Sequence, residues 1–184
     1  PDDVQNIPHP IIGYMGTINS TRLDGELLYQ IISQRPDYSF VFTGPEDDGF
    51  RQHRIHSLKN AYFTGQKKVD ELPAYITAYD VCINPQMVND ITDGNYPLKI
   101  DEYLAMGKPT VATSTHTMRH IFADHTHLAT NPEEWLSAID RAVTEADDKE
   151  LAKQRIAFAE THSWGHSVKK IYGIIDNFLK EKAT

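Results

Sequence analysis

The run Pro10-Ile11-Ile12-Gly13-Tyr14-Met15-Gly16 decides the fold: an apolar stretch of strand length closes on a glycine, and a polar loop of residues 17–23 follows it. A helical pattern then starts near Asp24 and sets Leu27, Leu28, Ile31 and Ile32 on one face. It stops before Pro36, because the residue ahead of a proline is driven out of the helical region. Strand, glycine turn and helix in succession make the first part of a βαβ unit, and the alternation recurs downstream. Tyr38 to Thr43 ends at Gly44-Pro45, Ala61 to Thr64 at Gly65, and Asp80 to Asn84 leads into a polar loop, residues 86–96. Pro109 to Ala112 gives a fifth strand and His127 to Thr130 a weak edge strand.

Helices are expected at residues 71–79, where Pro73 is tolerated in the first turn, and from Pro97 to Gly107, with a short one at residues 117–122. Residues 46–60 are charged and ambiguous, with a loose helix around Phe50 to Leu58. The last third reads as three helices, at residues 132–146, 149–161 and 164–180, the last capped by Ser163. The expected architecture is α/β, a Rossmann-like doubly wound parallel sheet with C-terminal helices.

Length and composition bound the rest. A chain of 184 residues suits one domain, able to bury about 70% of its unfolded surface. The hydrophobic fraction is 40% and the charged fraction 24%, and no apolar run approaches the roughly 20 residues of a membrane-spanning helix. The formal net charge of −8 sets the bulk field against nucleic acid, so a phosphate site must be local and the ligand small. The single cysteine, Cys82, reads as a small buried hydrophobe, which fits a reducing cytoplasm. Residues 1–9 are polar and proline-bearing and are expected to be a linker from a missing N-terminal domain, leaving residues 10–184 as the folded unit.

In an open parallel sheet, ligands bind beyond the carboxyl ends of the strands, where glycine turns and helix N-termini present free N–H groups. Gly13-x-x-Gly16-Thr17 is one such segment. It is neither the dinucleotide fingerprint G-x-G-x-x-G nor a P-loop, and alone it could be a tight turn. The other is Asn95-Tyr96-Pro97-Leu98-Lys99-Ile100-Asp101-Glu102-Tyr103-Leu104-Ala105-Met106-Gly107-Lys108-Pro109. Pro97 at the first helical position leaves the Leu98 and Lys99 N–H groups at the positive end of the helix, a place suited to pyrophosphate. Lys99 and Glu102 share a helix face, so they could serve phosphate and sugar hydroxyls or simply pair with each other.

This second block, continued by Thr110-Val111, resembles the P-x-K-x-x-E-Y-L-A-x-G-K-P-V-V signature of family-4 glycosyltransferases with the GT-B fold. The likeness runs through Ile12-Gly13-Tyr14-Met15-Gly16, residues 35–45, Phe63-Thr64-Gly65, residues 71–75, Asp80-Val81, Asn84-Pro85 and Ser163-Trp164. It implies the donor-binding C-terminal half of such an enzyme, from a branch that includes cell-surface polysaccharide enzymes. By that resemblance Glu102 accepts hydrogen bonds from the nucleotide ribose, and Gly16, Thr17, Pro97 and Leu98 border the phosphates. Arg22 stands where many members carry a phosphate-binding lysine. The loop of Gly65, Gln66, Lys67 and Lys68 borders the base, and Lys99 either touches phosphate or pairs locally. Glu102, Lys99 and Arg22 are thereby the expected catalytic set.

The implied chemistry moves a glycosyl group from a nucleoside diphosphate sugar to a glycan hydroxyl, with retention and with neither cofactor nor bound metal. The acceptor would be held by the missing N-terminal domain. The implied location is cytoplasmic, with a peripheral place at the inner membrane face open to the whole enzyme. Two departures stand out. Thr17 replaces the arginine that usually follows the glycine, and Gly94 stands eight positions before Glu102, where the family carries a first glutamate that contacts the transferred sugar. A sugar-nucleotide epimerase half and a non-catalytic α/β module are the rival readings. His116 and His120 have the spacing of metal ligands but lack a convincing third partner, and no G-x-S-x-G elbow supports a hydrolase.

Overall fold

A computed structural model describes residues 1–90 and 92–182. Six parallel strands form one sheet in the order β3-β2-β1-β4-β5-β6. They are β1 (Ile11–Met15), β2 (Ser39–Thr43), β3 (Ala61–Gly65), β4 (Val81–Asn84), β5 (Thr110–Thr113) and β6 (His127–Ala129). β1, β2, β4 and β5 are buried along their whole length, as strands covered on both faces must be. The helices are α1 (Gly25–Gln34), the short α2 (Asp48–Arg51), α3 (Leu72–Ala78), α4 (Leu98–Ala105), α5 (Pro132–Thr144), α6 (Lys149–Glu160) and α7 (Trp164–Lys182).

Alternate residues of each strand serve opposite layers. On one face Ile12, Tyr14, Phe40, Phe42, Val81 and Ile83 pack with Leu28, Ile31 and Ile32 of α1 and with Trp135, Ile139 and Ala142 of α5. On the other, Ile11, Met15, Val41 and Cys82 pack with Tyr75 and Ile76 of α3 and with Ile100, Tyr103 and Leu104 of α4. Helix starts follow local chemistry: Asp24, Asn131 and Asp148 accept backbone N–H bonds at the heads of α1, α5 and α6. Ser163 likewise accepts the His166 N–H at 3.3 Å ahead of α7.

Several expectations are corrected. Residues 46–60 form not one loose helix but α2 and a 3₁₀ turn, Arg54–Ser57, each with its own cap, Asp47 and His53. Pro97 is the residue before α4 rather than its first helical residue. The short helix at 118–122 is wound as a π-helix. Apart from these corrections, residues 1–9 lie against the domain: Val4 and Ile7 are buried in the second layer, and the Asp3 carboxylate accepts from Tyr75 and Lys67. Trp164 is 82% exposed, because α7 meets little of the domain.

Candidate functional site

The strand order reverses direction between β1 and β4, so their outgoing loops diverge and leave a crevice at the carboxyl end of the sheet. Here the crevice is held together by backbone. Leu23 and Gln86 form an antiparallel bridge, the Met87 N–H donates to Arg22 O at 2.8 Å, and the Asp24 N–H donates to Pro85 O at 3.0 Å. The loop after β1 is thus tied to the loop after β4, and both lead to the start of α4. They enclose a cleft of about 460 Å³ lined by Gly16, Thr17, Arg22, Gln86, Pro97 and Lys99 among others, within the size range of small-molecule sites.

Glycines set its floor. Gly16 has a φ of +133°, and a Cβ there would lie 2.8 Å from Lys99 Nζ. A Cβ on Gly44 would stand 1.9 Å from Gly16 O. No side chain fits either position, so β1 and β2 end in bare backbone below the cleft. The Gly16 N–H itself is used by Thr43 O at 2.9 Å, whereas the N–H groups of Thr17, Leu98 and Lys99 have no acceptor among the described residues.

Lys99 dominates the electrostatics. Its ammonium donates to Tyr14 OH at 2.6 Å and lies 4.1 Å from the centre of the Tyr14 ring; Tyr14 OH in turn donates to Thr17 O at 3.0 Å. Burial lowers its pKa to about 8, the Glu102 charge opposes that shift, and Arg22 adds to it. No carboxylate of the described residues forms an ion pair with Lys99 or with Arg22. The helix-face pair suggested by the Lys99 and Glu102 spacing does not form. Instead Lys99 reaches across to β1, and Glu102 stands exposed in an adjoining groove that shares Leu98 with the cleft. Partial desolvation raises the Glu102 pKa, and the Lys99 ammonium offsets part of the rise.

The structure brings Gly16, Thr17, Arg22, Pro97, Leu98 and Lys99 around one space, with Glu102 next door. Gly65 ends β3 two strands away and accepts from the Gly44 N–H at 3.0 Å. Lys67 points elsewhere, bonding Asp3 at 2.6 Å. Asn19, Gln86 and Asn95 also line the cleft and carried no sequence signal, since loop amides have no diagnostic spacing. Tyr14 was marked only by its place beside the glycine turn. His116 and His120 stack at 4.0 Å, and no group of three ligating side chains suited to a metal occurs among the described residues.

An open parallel sheet with helices on both faces and a cleft at its switch point defines a doubly wound α/β domain. Residues 9–145 match the family of glycosyl transferases group 1, and the chain belongs to that family, as a GT-B domain of the family-4 type. It is 27% identical over 168 residues to a protein named as a teichuronic acid biosynthesis glycosyltransferase, TuaH of Bacillus subtilis (strain 168), covering 88% of this chain and 42% of that one. Sucrose-phosphate synthase from Thermosynechococcus elongatus shares the fold with a TM-score of 0.74 at 19% identity, over 98% of this chain and 49% of that one. Alr3699/HepE of Anabaena, solved in complex with UDP, gives 0.74 at 14% over 96% and 53%. The same protein with UDP-glucose gives 0.66 at 17% over 97% and 50%. This chain therefore spans about half the length of these relatives or less.

Proposed function

We propose that this chain holds the donor of a glycosyltransferase, a nucleoside diphosphate sugar, with the diphosphate between the loop after β1 and the start of α4. The observation that carries the proposal is Lys99, a desolvated ammonium without a carboxylate counter-ion in a cleft tied together by backbone. A desolvated cation without a counter-ion is costly unless a ligand supplies the charge. The free N–H groups of Thr17, Leu98 and Lys99, the α4 dipole and the Arg22 guanidinium all favour the same anion. Glu102, one groove away across Leu98, suits the ribose hydroxyls. The UDP and UDP-glucose complexes of the HepE neighbour support a ligand of this kind.

In the reaction so assigned, the glycosidic bond to the diphosphate breaks and negative charge grows on the departing oxygens. Lys99, Arg22 and the fixed N–H groups stabilise that charge without reorganising, which is where such groups contribute most. Transfer proceeds with retention to a glycan hydroxyl held by a second domain of the full protein, and this chain alone turns over little. A calorimetric titration with UDP, GDP and dTDP tests the proposal: one of them binds, and Lys99→Met weakens it at least tenfold. Binding of none, or equal binding by the variant, overturns it. Product analysis of the full-length protein separates transfer from epimerisation.

A further inference from the structure

Two side-chain amides carry buried carbonyl oxygens without a hydrogen-bond partner among the described residues, Asn84 Oδ1 and Gln86 Oε1. Of the two, Gln86 lines the cleft, together with Arg22 and Lys99. Its residue is 8% exposed, and neither its carbonyl nor its amino group bonds another described residue. Its backbone is fixed on both sides, by the Leu23 bridge and by its own N–H donating to Asn84 O at 3.0 Å. A buried polar atom left unpaired costs free energy, and such atoms are rare unless a ligand completes them.

The chemistry of the missing partner follows from the neighbours. The cations and free N–H groups of the cleft satisfy a diphosphate, and a carboxamide adds nothing comparable to an anion. A carbonyl oxygen needs a donor, which a diphosphate lacks and a hydroxyl has. A hydroxyl can both donate to the Gln86 carbonyl and accept from its amino group, so either rotation of the amide is served. Glu102 stands in the other groove and suits the hydroxyls of the ribose. The group left for Gln86 is the one on the opposite side of the diphosphate.

Resting on the donor site described above, we infer that Gln86 reads a hydroxyl of the transferred sugar and so helps to set which sugar the protein accepts. Gln86 would be a specificity-determining contact rather than part of the charge-stabilising machinery. Its substitution should leave nucleoside diphosphate affinity unchanged while lowering affinity for the sugar conjugate.

The test measures the affinities of the full chain and its Gln86→Leu variant for UDP, GDP and dTDP and for the glucose conjugate of each, alongside the melting temperature. The expected result is that one diphosphate binds both forms within twofold. A conjugate of that diphosphate that binds the native chain more tightly than the diphosphate alone should lose about 5- to 10-fold in the variant, the scale of one neutral hydrogen bond. The variant should melt no lower than the native chain, because leucine removes an unsatisfied group of similar shape. If the conjugate loses no more affinity than the diphosphate, or gains nothing from its sugar in the native chain, the inference about Gln86 falls and the donor site stands. A melting temperature lowered together with a loss for both ligands makes Gln86 a structural residue and overturns the inference. If no diphosphate binds either form, the donor site itself falls and this inference with it.

Discussion

Arg155 and Lys99, the one buried and the other half-buried, are cations in opposite circumstances. Arg155, 5% exposed, forms an ion pair with Glu145, whose other oxygen lies 3.0 Å from His127 Nε2. Lys99, on α4 at the carboxyl end of the sheet, has a tyrosine hydroxyl and open space instead of a carboxylate. Burial lowers both pKa values, but at Arg155 an adjacent carboxylate resists the shift through both charge and hydrogen bond. A buried charge that the fold itself satisfies belongs to stability; one that the fold leaves unsatisfied belongs to a ligand. On that reasoning the cavity of about 250 Å³ beside Arg155 belongs with stability, and the cleft beside Lys99 is the one proposed to take a ligand.

The largest expected effect breaks the structural member of the pair. Glu145→Leu leaves Arg155 buried without a carboxylate and should lower unfolding free energy by about 3 kcal/mol, read by denaturant unfolding, with nucleotide affinity at 25 °C unchanged. The matching change at the other cation should do the reverse. Lys99→Met should remove about 2 to 3 kcal/mol of nucleoside diphosphate binding in calorimetry. Its unfolding free energy at pH 7 should be no lower than that of the native chain, and up to about 2 kcal/mol higher.

The sign of that gain can be followed with pH. The folded Lys99 pKa of about 8 lies below the ordinary lysine value of 10.5, so the unfolded chain binds more protons between those values and native stability rises with pH across them. Below pH 8 the full cost of the buried charge is present, and the advantage of Lys99→Met should be greatest there and shrink toward pH 10.5. A smaller effect is expected at Glu102, where Glu102→Ala should weaken nucleotide binding by about 1.5 kcal/mol, since its exposure to water moderates the contact. Affinity left unaltered by that change would separate Glu102 from the ligand.

Much of this contrast could be read in the chain and part of it could not. The glycine after Met15 and the proline-led block from Asn95 to Pro109 carry local signatures, so the alternation of strands and helices and the two loops of the cleft were legible. The Asp24 cap and the one-sided pattern of Leu28, Ile31 and Ile32 fixed α1 to within a residue. What escaped depends on contacts between distant parts of the chain. Lys99 and Tyr14 are 85 positions apart, and helix spacing alone pointed Lys99 at Glu102 instead. The burial of Gln86 follows from its bridge to Leu23, and the seat of Val4 and Ile7 from a surface built by α3 and α4. A polar, proline-bearing segment gives no local hint of either.

The central claim is that Lys99 is held half-buried and without a carboxylate so that an incoming diphosphate becomes its counter-ion. Titrating the bound nucleoside diphosphate into the full chain at pH 8.5, in buffers of different ionisation enthalpy, measures the protons taken up on binding. A counter-ion that restores the ordinary lysine pKa should draw in about 0.7 proton per site, and Lys99→Met should take up none. Binding without proton uptake in the native chain, at an affinity that Lys99→Met retains, would contradict the account.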